Sequence, residues 1–372
     1  MTDRAIASRY LEWAKLHSRA KFNLATSGIA SYPLAALPLA LTDLEINGPD
    51  SYGYEPLKNR LAQKCGVTPE QVFTTNGASM ANHLAMAAIL APGDDVLIEQ
   101  PTYGLLLEVA SYLSANILRF QRRPENAWQI DPDEVRNKIT PKTRLIVLTN
   151  MHNPSGAFTS QTTLAQLGQI TSEIGAKVLV DEVYLDTAGD LDPQQQAATR
   201  SSIHLGDQFV VTTSLTKAYG LSGLRCGWIL AEPGLTKRIW RLNDLFNATP
   251  SHPSELLSVM TLDNLDQIAS RTRQLLQVNR QALNAFLDSR SDLEVVRPLG
   301  GTVVFPKLKY GPGAQDAGEF CQLLRTEFET AVVPGEFFEM PSHFRIGIGG
   351  DPAMTSQALD RLSTALDHYQ TR

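Results

Sequence analysis

The chain has few cysteines, no long apolar run and no basic excess. Its three cysteines, Cys65, Cys226 and Cys321, are odd in number and lie far apart. That excludes a disulfide framework and a cysteine-based metal site, so no metal is expected, and it suits a reducing, cytoplasmic compartment. Apolar stretches such as LAMAAILA at 84–91 fall short of the roughly 20 residues that cross a bilayer, so no membrane partner is expected. The net charge is −6 with no extended basic face, which argues against nucleic acid. The first residues, MTDRAIASRYLEWAKLHSR, carry Asp3 and Glu12 and lack the apolar centre of a secretory leader. Their spacing predicts an amphipathic helix with Ile6, Tyr10, Trp13 and Leu16 along one side. No internal repeat, low-complexity tract or long linker interrupts the chain.

What the chain has is bulk. At 372 residues and 43% hydrophobic content it can build a large core and two lobes. Strand candidates fall at 96–100, 116–121, 144–150, 177–184, 209–216 and 225–230. Several are almost wholly apolar, as strands covered on both faces are. Helical patterns at 103–114, 131–139 and 160–174 lie between them, which predicts an α/β domain with a mostly parallel sheet. After about residue 260 the pattern changes. A charged amphipathic helix over 270–290 leads into short strands (LEVVRP, TVVFPKL, AVVPG, FRIGIG) and a last helix from Pro352 to about Tyr369. The expected division is a large domain at 46–260, with 1–45 and 261–372 forming a smaller α+β domain.

Four short stretches carry candidate chemistry. In TTNGASMANHLAMAAILAPGDD, Gly77 permits a sharp turn, Ser79 sits where an N-cap belongs, and a helix should run to about Leu90, closed by Pro92 and Gly93. The N–H groups of such a start favour a phosphate, though an ordinary capped helix leaves the same trace. KVLVDEVYLD puts Asp181 and Tyr184 at the end of a buried strand, where ligands of open α/β sheets gather. A helix cap or structural ion pair reads the same way. LTNMHNPSGAF ends another strand with Asn150, Asn153 and Pro154, which is equally a turn signal. SLTKAYGLSGLRCGW places Lys217 directly after a buried strand, where a charge is costly. Ser214 and Lys217 also match the Ser-x-x-Lys pair of penicillin-recognising enzymes, but the supporting Lys-Thr-Gly and Ser-Asp-Asn motifs are missing.

Taken together in this order, these motifs resemble the class I/II aminotransferases of the aspartate aminotransferase superfamily, from SGIASYP to FRIGIG. The resemblance implies the pyridoxal 5′-phosphate (PLP)-dependent transferase fold type I: a large domain with a mostly parallel central sheet plus a smaller α+β domain. It implies that Lys217 forms a Schiff base with the cofactor and later shuttles a proton at Cα. Asp181 would pair with the pyridine nitrogen. Tyr184 and Asn153 would bond the ring's phenolic oxygen, and Tyr103 would stack on the ring. Ala78, Ser79, Ser214 and Arg225 would bind the phosphate. Arg345, in HFRIGIG, would take the substrate α-carboxylate, beside Gly28 and Asn153. Tyr52, or failing it Tyr54, would reach the phosphate of a second subunit, which implies a homodimer with sites at the interface.

The sequence departs from the family where Met151 replaces a frequent proline, and no second arginine marks a dicarboxylate substrate. His152 and His343 flank matched positions, as pocket or structural residues. The implied reaction moves an amino group from an L-amino acid to a 2-oxo acid. A β-eliminating lyase or a β/γ-replacing cyclase would use the same residues. A PLP-sensing module of a transcription regulator would need an N-terminal DNA-binding domain, whereas the 45 residues before the large domain are not strongly basic.

Overall fold

The computed structural model describes residues 7–49, 51–188, 199–311 and 314–370. Ile6 of the expected N-terminal helix lies outside them. That helix, α1 (Arg9–Leu16), begins where Ser8 caps it by accepting a hydrogen bond from the Leu11 N–H at 3.3 Å. Then come β1 (Phe22–Asn23), α2 (Glu55–Cys65), β2 (Val72–Asn76), α3 (Ala78–Ile89), β3 (Asp95–Gln100), α4 (Gly104–Tyr112) and β4 (Asn116–Gln121). The chain continues through α5 (Pro132–Lys138), β5 (Thr143–Thr149), α6 (Gln161–Ile174), β6 (Lys177–Asp181), β7 (Phe209–Ser214), α7 (Leu215–Tyr219) and β8 (Cys226–Leu230).

These strands form a seven-stranded sheet in the order β2-β8-β7-β6-β5-β3-β4. It is mostly parallel, with β8 antiparallel to both its neighbours. The apolar runs have their reason in the layers. Ile98, Val147, Leu179 and Val210 face a core shared with α3 and α4. The alternate residues Leu97, Ile146, Val178 and Val180 face a core shared with α6. A strand buried on both faces has no polar side to show.

The chain then passes through α8 (Pro233–Asn243), α9 (His252–Asp263) and the long α10 (Leu265–Asp288). Short strands follow: β9 (Leu293–Glu294), β10 (Val303–Val304) and β11 (Lys307–Leu308). After α11 (Gly318–Glu327) come β12 (Thr330–Ala331), β13 (Val333–Pro334), β14 (Phe344–Gly347) and α12 (Pro352–Gln370). Here β14 lies between β10 and β13, and β1 pairs in parallel with β12. Leu276, Phe320, Ile346 and Leu362 belong to one core that joins α10, α11, β14 and α12.

Four local features differ from the sequence expectation. β2 forms a strand that the pattern did not single out. The run at 177–184 leaves the sheet after Asp181, because the Asp181 carboxylate accepts the Val183 N–H at 3.1 Å and turns the chain. The run at 209–216 ends at Ser214, whose Oγ accepts the Thr216 N–H at 3.3 Å and starts α7. The N-cap of α3 is Gly77, at φ 82°, and not Ser79. That positive φ calls for glycine, and a Cβ there would also lie 2.3 Å from Arg225 Nη2.

Candidate active site

Because β5, β6 and β7 are parallel, their carboxyl ends open on one side, at the place where such sheets bind ligands. A cavity of about 300 Å³ lies there. Asp181 from the end of β6, Lys217 from α7 and Asn153 from the loop after β5 all line it. Ala78 and Ser79 from the first turn of α3 join them, with Ser214 and Arg225 beside that turn. Tyr103, at the N-cap of α4, and Tyr184 also line it, whereas Gly28 and Arg345 do not.

Asp181 is 4% exposed. Its carboxylate accepts Asn82 Nδ2 at 2.7 Å and the Val183 N–H, and Asn82 Oδ1 in turn accepts the Thr212 hydroxyl at 2.5 Å. Burial pushes the Asp181 pKa up, against the pull of these donors and of the Lys217 charge. Asn82 had been missed. Its signal was a lone amide on the face of α3 that also carries Ala81, Leu84 and Ala85, all fully buried.

Lys217 is half-buried. Its carbonyl accepts the Ile29 N–H at 2.9 Å, and a Cβ on Gly28 would lie 3.3 Å from Lys217 Cδ. Gly28 thus seats the N-terminal segment against the lysine stem. The Tyr184 hydroxyl donates to Ser27 Oγ at 2.7 Å in that same segment. Arg225 is exposed and adopts φ 51°, with Nη2 donating to the Asn76 carbonyl at 3.1 Å beside the start of α3.

Arg345, on β14, is fully buried behind the cavity. It donates to Asn153 Oδ1 at 2.7 Å, to the Tyr10 hydroxyl at 3.0 Å and to the Ala25 carbonyl at 3.0 Å. The loop that carries Asn153 is itself held from below. The Asn153 N–H donates to Thr149 Oγ1 at 3.0 Å, and that hydroxyl donates to Glu99 Oε1 at 2.7 Å. Glu99 pairs with Arg122 Nε at 2.8 Å, with both side chains fully buried. Sequence reasoning missed this pair. A charged residue inside the apolar run VLIEQ was its trace.

Other predicted residues lie elsewhere. Tyr52 is half exposed and donates to Asp244 Oδ2 at 3.0 Å, and the Tyr54 ring meets the His252 ring edge-on at 4.8 Å. Neither lines this cavity. His152 is buried between Ser155 Oγ and the Pro101 carbonyl, so Nε2 carries its proton, and burial holds its pKa well below the ordinary value. His343 stacks on Phe305 at 4.8 Å. Neither imidazole lines the cavity. Met151 follows a cis Asn150–Met151 bond and is buried.

The site offers an amine, a buried carboxylate and, along the same lining, a helix start, two hydroxyls and a guanidinium, groups that suit a phosphate. That donor set fits PLP. The sequence profile of the family "Aminotransferase class I and II" matches residues 40–362, and the chain belongs to that family. It is a PLP-dependent enzyme of fold type I. Among its relatives is a capreomycidine synthase of Streptomyces vinaceus, 29% identical over 341 residues, covering 88% of this chain and 85% of the relative. A PLP-dependent aminotransferase from Streptococcus suis superposes with a TM-score of 0.90 at 29% identity, covering 99% of both chains. The PLP-dependent cyclase OrfR shares the fold, with a TM-score of 0.86 at 24% identity over 99% of both chains. Among the described residues no cluster suits a metal ion, and no helix is long and apolar enough to cross a membrane.

Proposed function

We propose that the protein is an aminotransferase that moves an amino group from an L-amino acid to a 2-oxo acid. The observation that carries this reading is the meeting of Lys217 and the buried Asp181 in one cavity, with the Arg345 guanidinium enclosed behind it. When bound, PLP supplies an aldehyde that takes up amines and a ring that draws electrons from the substrate Cα. Lys217 would be the amine that holds the cofactor and, as a free amine, the group that moves the proton at Cα. Asp181 keeps the ring nitrogen protonated, since a buried carboxylate favours a cation beside it.

Tyr184 and Asn153 would hydrogen-bond the ring's phenolic oxygen, and Tyr103 would stack on the ring. The N–H groups of Ala78 and Ser79, the hydroxyls of Ser79 and Ser214, and Arg225 hold the phosphate. Arg345 takes the substrate α-carboxylate, with Asn153 and the Gly28 backbone alongside. The enzyme works as a cytoplasmic homodimer in which Tyr52, or alternatively Tyr54, completes the phosphate site of the second copy. Residues 46–260 form its cofactor-binding domain, and 1–45 with 261–372 form the smaller one.

The test is a half-reaction. Each of the twenty amino acids is mixed with holoenzyme in the absence of a 2-oxo acid, and the cofactor absorbance is followed. Conversion to the pyridoxamine form by at least one donor is expected. No conversion by any donor would remove transamination. A second reading, a β-eliminating lyase or β/γ-replacing cyclase, draws support from the synthase among the relatives. Release of pyruvate and ammonia from a β-substituted amino acid, without any acceptor, would favour it.

A further inference from the structure

Arg345 is a fully buried cation, and none of the ion pairs among the described residues includes it. A buried charge without a counter-ion is costly. A guanidinium has five N–H groups. Arg345 directs three to Asn153, Tyr10 and Ala25, and its Nε has no acceptor. Donor capacity therefore remains for an anion.

Tyr10 belongs to α1, yet it lines the same cavity as Lys217. Its ring meets Tyr103 edge-on at 5.6 Å and lies 5.8 Å from the Arg345 guanidinium carbon. Its oxygen accepts from Arg345, so its own proton points away from that bond and is available to a third group. Burial raises the Tyr10 pKa, but the charges of Arg345 and Lys217 and the hydrogen bond from Arg345 together bring it below the ordinary phenol value. Such a hydroxyl is a strengthened donor. α1 is fixed in this position from outside. Trp13 packs on Phe337 at 5.3 Å, Arg9 faces Glu336 at 3.7 Å, and Arg325 donates to the His17 carbonyl just past the helix.

We propose that Tyr10 is a positioning residue for the substrate, donating its hydroxyl proton to the α-carboxylate that Arg345 binds. This rests on the proposed role of Arg345. The carboxylate then bridges α1 and β14, so the N-terminal helix is part of the substrate site.

The test uses holoenzyme in three forms: wild type, Tyr10→Phe and Arg345→Lys. Unreactive carboxylates (acetate, propanoate and 3-methylbutanoate) are titrated by calorimetry, with isobutylamine as a control lacking the carboxylate. Tyr10→Phe should bind the carboxylates about tenfold more weakly, leave the amine unchanged, and raise KM for the amino donor with kcat within about threefold. Unchanged carboxylate affinity in Tyr10→Phe, with loss in Arg345→Lys, would overturn the proposal and leave the role of Arg345 standing. Unchanged affinity in Arg345→Lys, or no carboxylate binding by wild type, would overturn both. Loss of the cofactor absorbance in Tyr10→Phe would make Tyr10 a support of the fold, and that too would end the proposal.

Discussion

Arg345 Nη1 donates to Asn153 Oδ1 at 2.7 Å, across 192 positions of sequence. The bond joins β14 to the loop that closes β5. It sets the Arg345 guanidinium and the Asn153 amide in one fixed relation.

Arg345→Lys keeps the charge and loses the planar fork. A hydrogen bond to a charged group is worth about 1.5–3 kcal/mol, so KM for the amino donor should rise about 10–150-fold. The cofactor absorbance should stay. Steady-state kinetics with one identified donor checks this, and an unchanged KM would count against the assignment.

Asp181→Asn keeps the shape beside Asn82 and removes the charge. The role proposed for it lies where charge develops, so kcat should fall on the order of 10²–10³-fold while the cofactor Kd moves far less. Equilibrium dialysis and single-turnover rates separate the two. Equal losses in both would mean that Asp181 mainly anchors the cofactor.

Glu99→Gln leaves Arg122 buried without its counter-ion. Breaking such a pair costs about 3–5 kcal/mol, which chemical denaturation of the variant should register. Adding Arg122→Met should recover much of that loss. The single variant should also raise KM, because Glu99 holds Thr149 and Thr149 holds the Asn153 loop.

His343 ties stability to pH. Burial takes its pKa from the ordinary 6.5 down to about 4. Between those values the unfolded chain binds a proton that the native one refuses, so stability falls as the pH drops from 6.5 towards 4, by up to about 3 kcal/mol. Glu182 acts in the opposite sense. Burial pushes its pKa up to about 7, so its contribution is present below 4.5 and lost as the pH rises towards 7. Comparing Tm for wild type and His343→Gln at pH 7.5 and pH 5 isolates the histidine. The stability of wild type relative to the variant should decline at pH 5. A constant difference would show that His343 does not titrate as described.

Much of the site could be read in the sequence because parallel strands put their carboxyl ends on one side. Asp181, Ser214 and Lys217 each sit at or just past the end of an apolar run, and the resemblance to the class I/II aminotransferases implied that they belong together. The sheet was legible for the same reason, since strands covered on both faces are apolar throughout. β2 was not, because Thr74, Thr75 and Asn76 make its second half polar. Contacts between distant segments were not legible either. Tyr10 meets Arg345 across 335 positions, and Asn82 meets Asp181 across 99. Periodicity places a residue on a face of its own helix and says nothing of what that face will meet.

The most direct test of the account is borohydride reduction of the holoenzyme, followed by proteolysis and mass spectrometry. The account predicts the reduced cofactor on the peptide containing Lys217, and no label there in Lys217→Ala. A label on another lysine, or full turnover in Lys217→Ala, would contradict it.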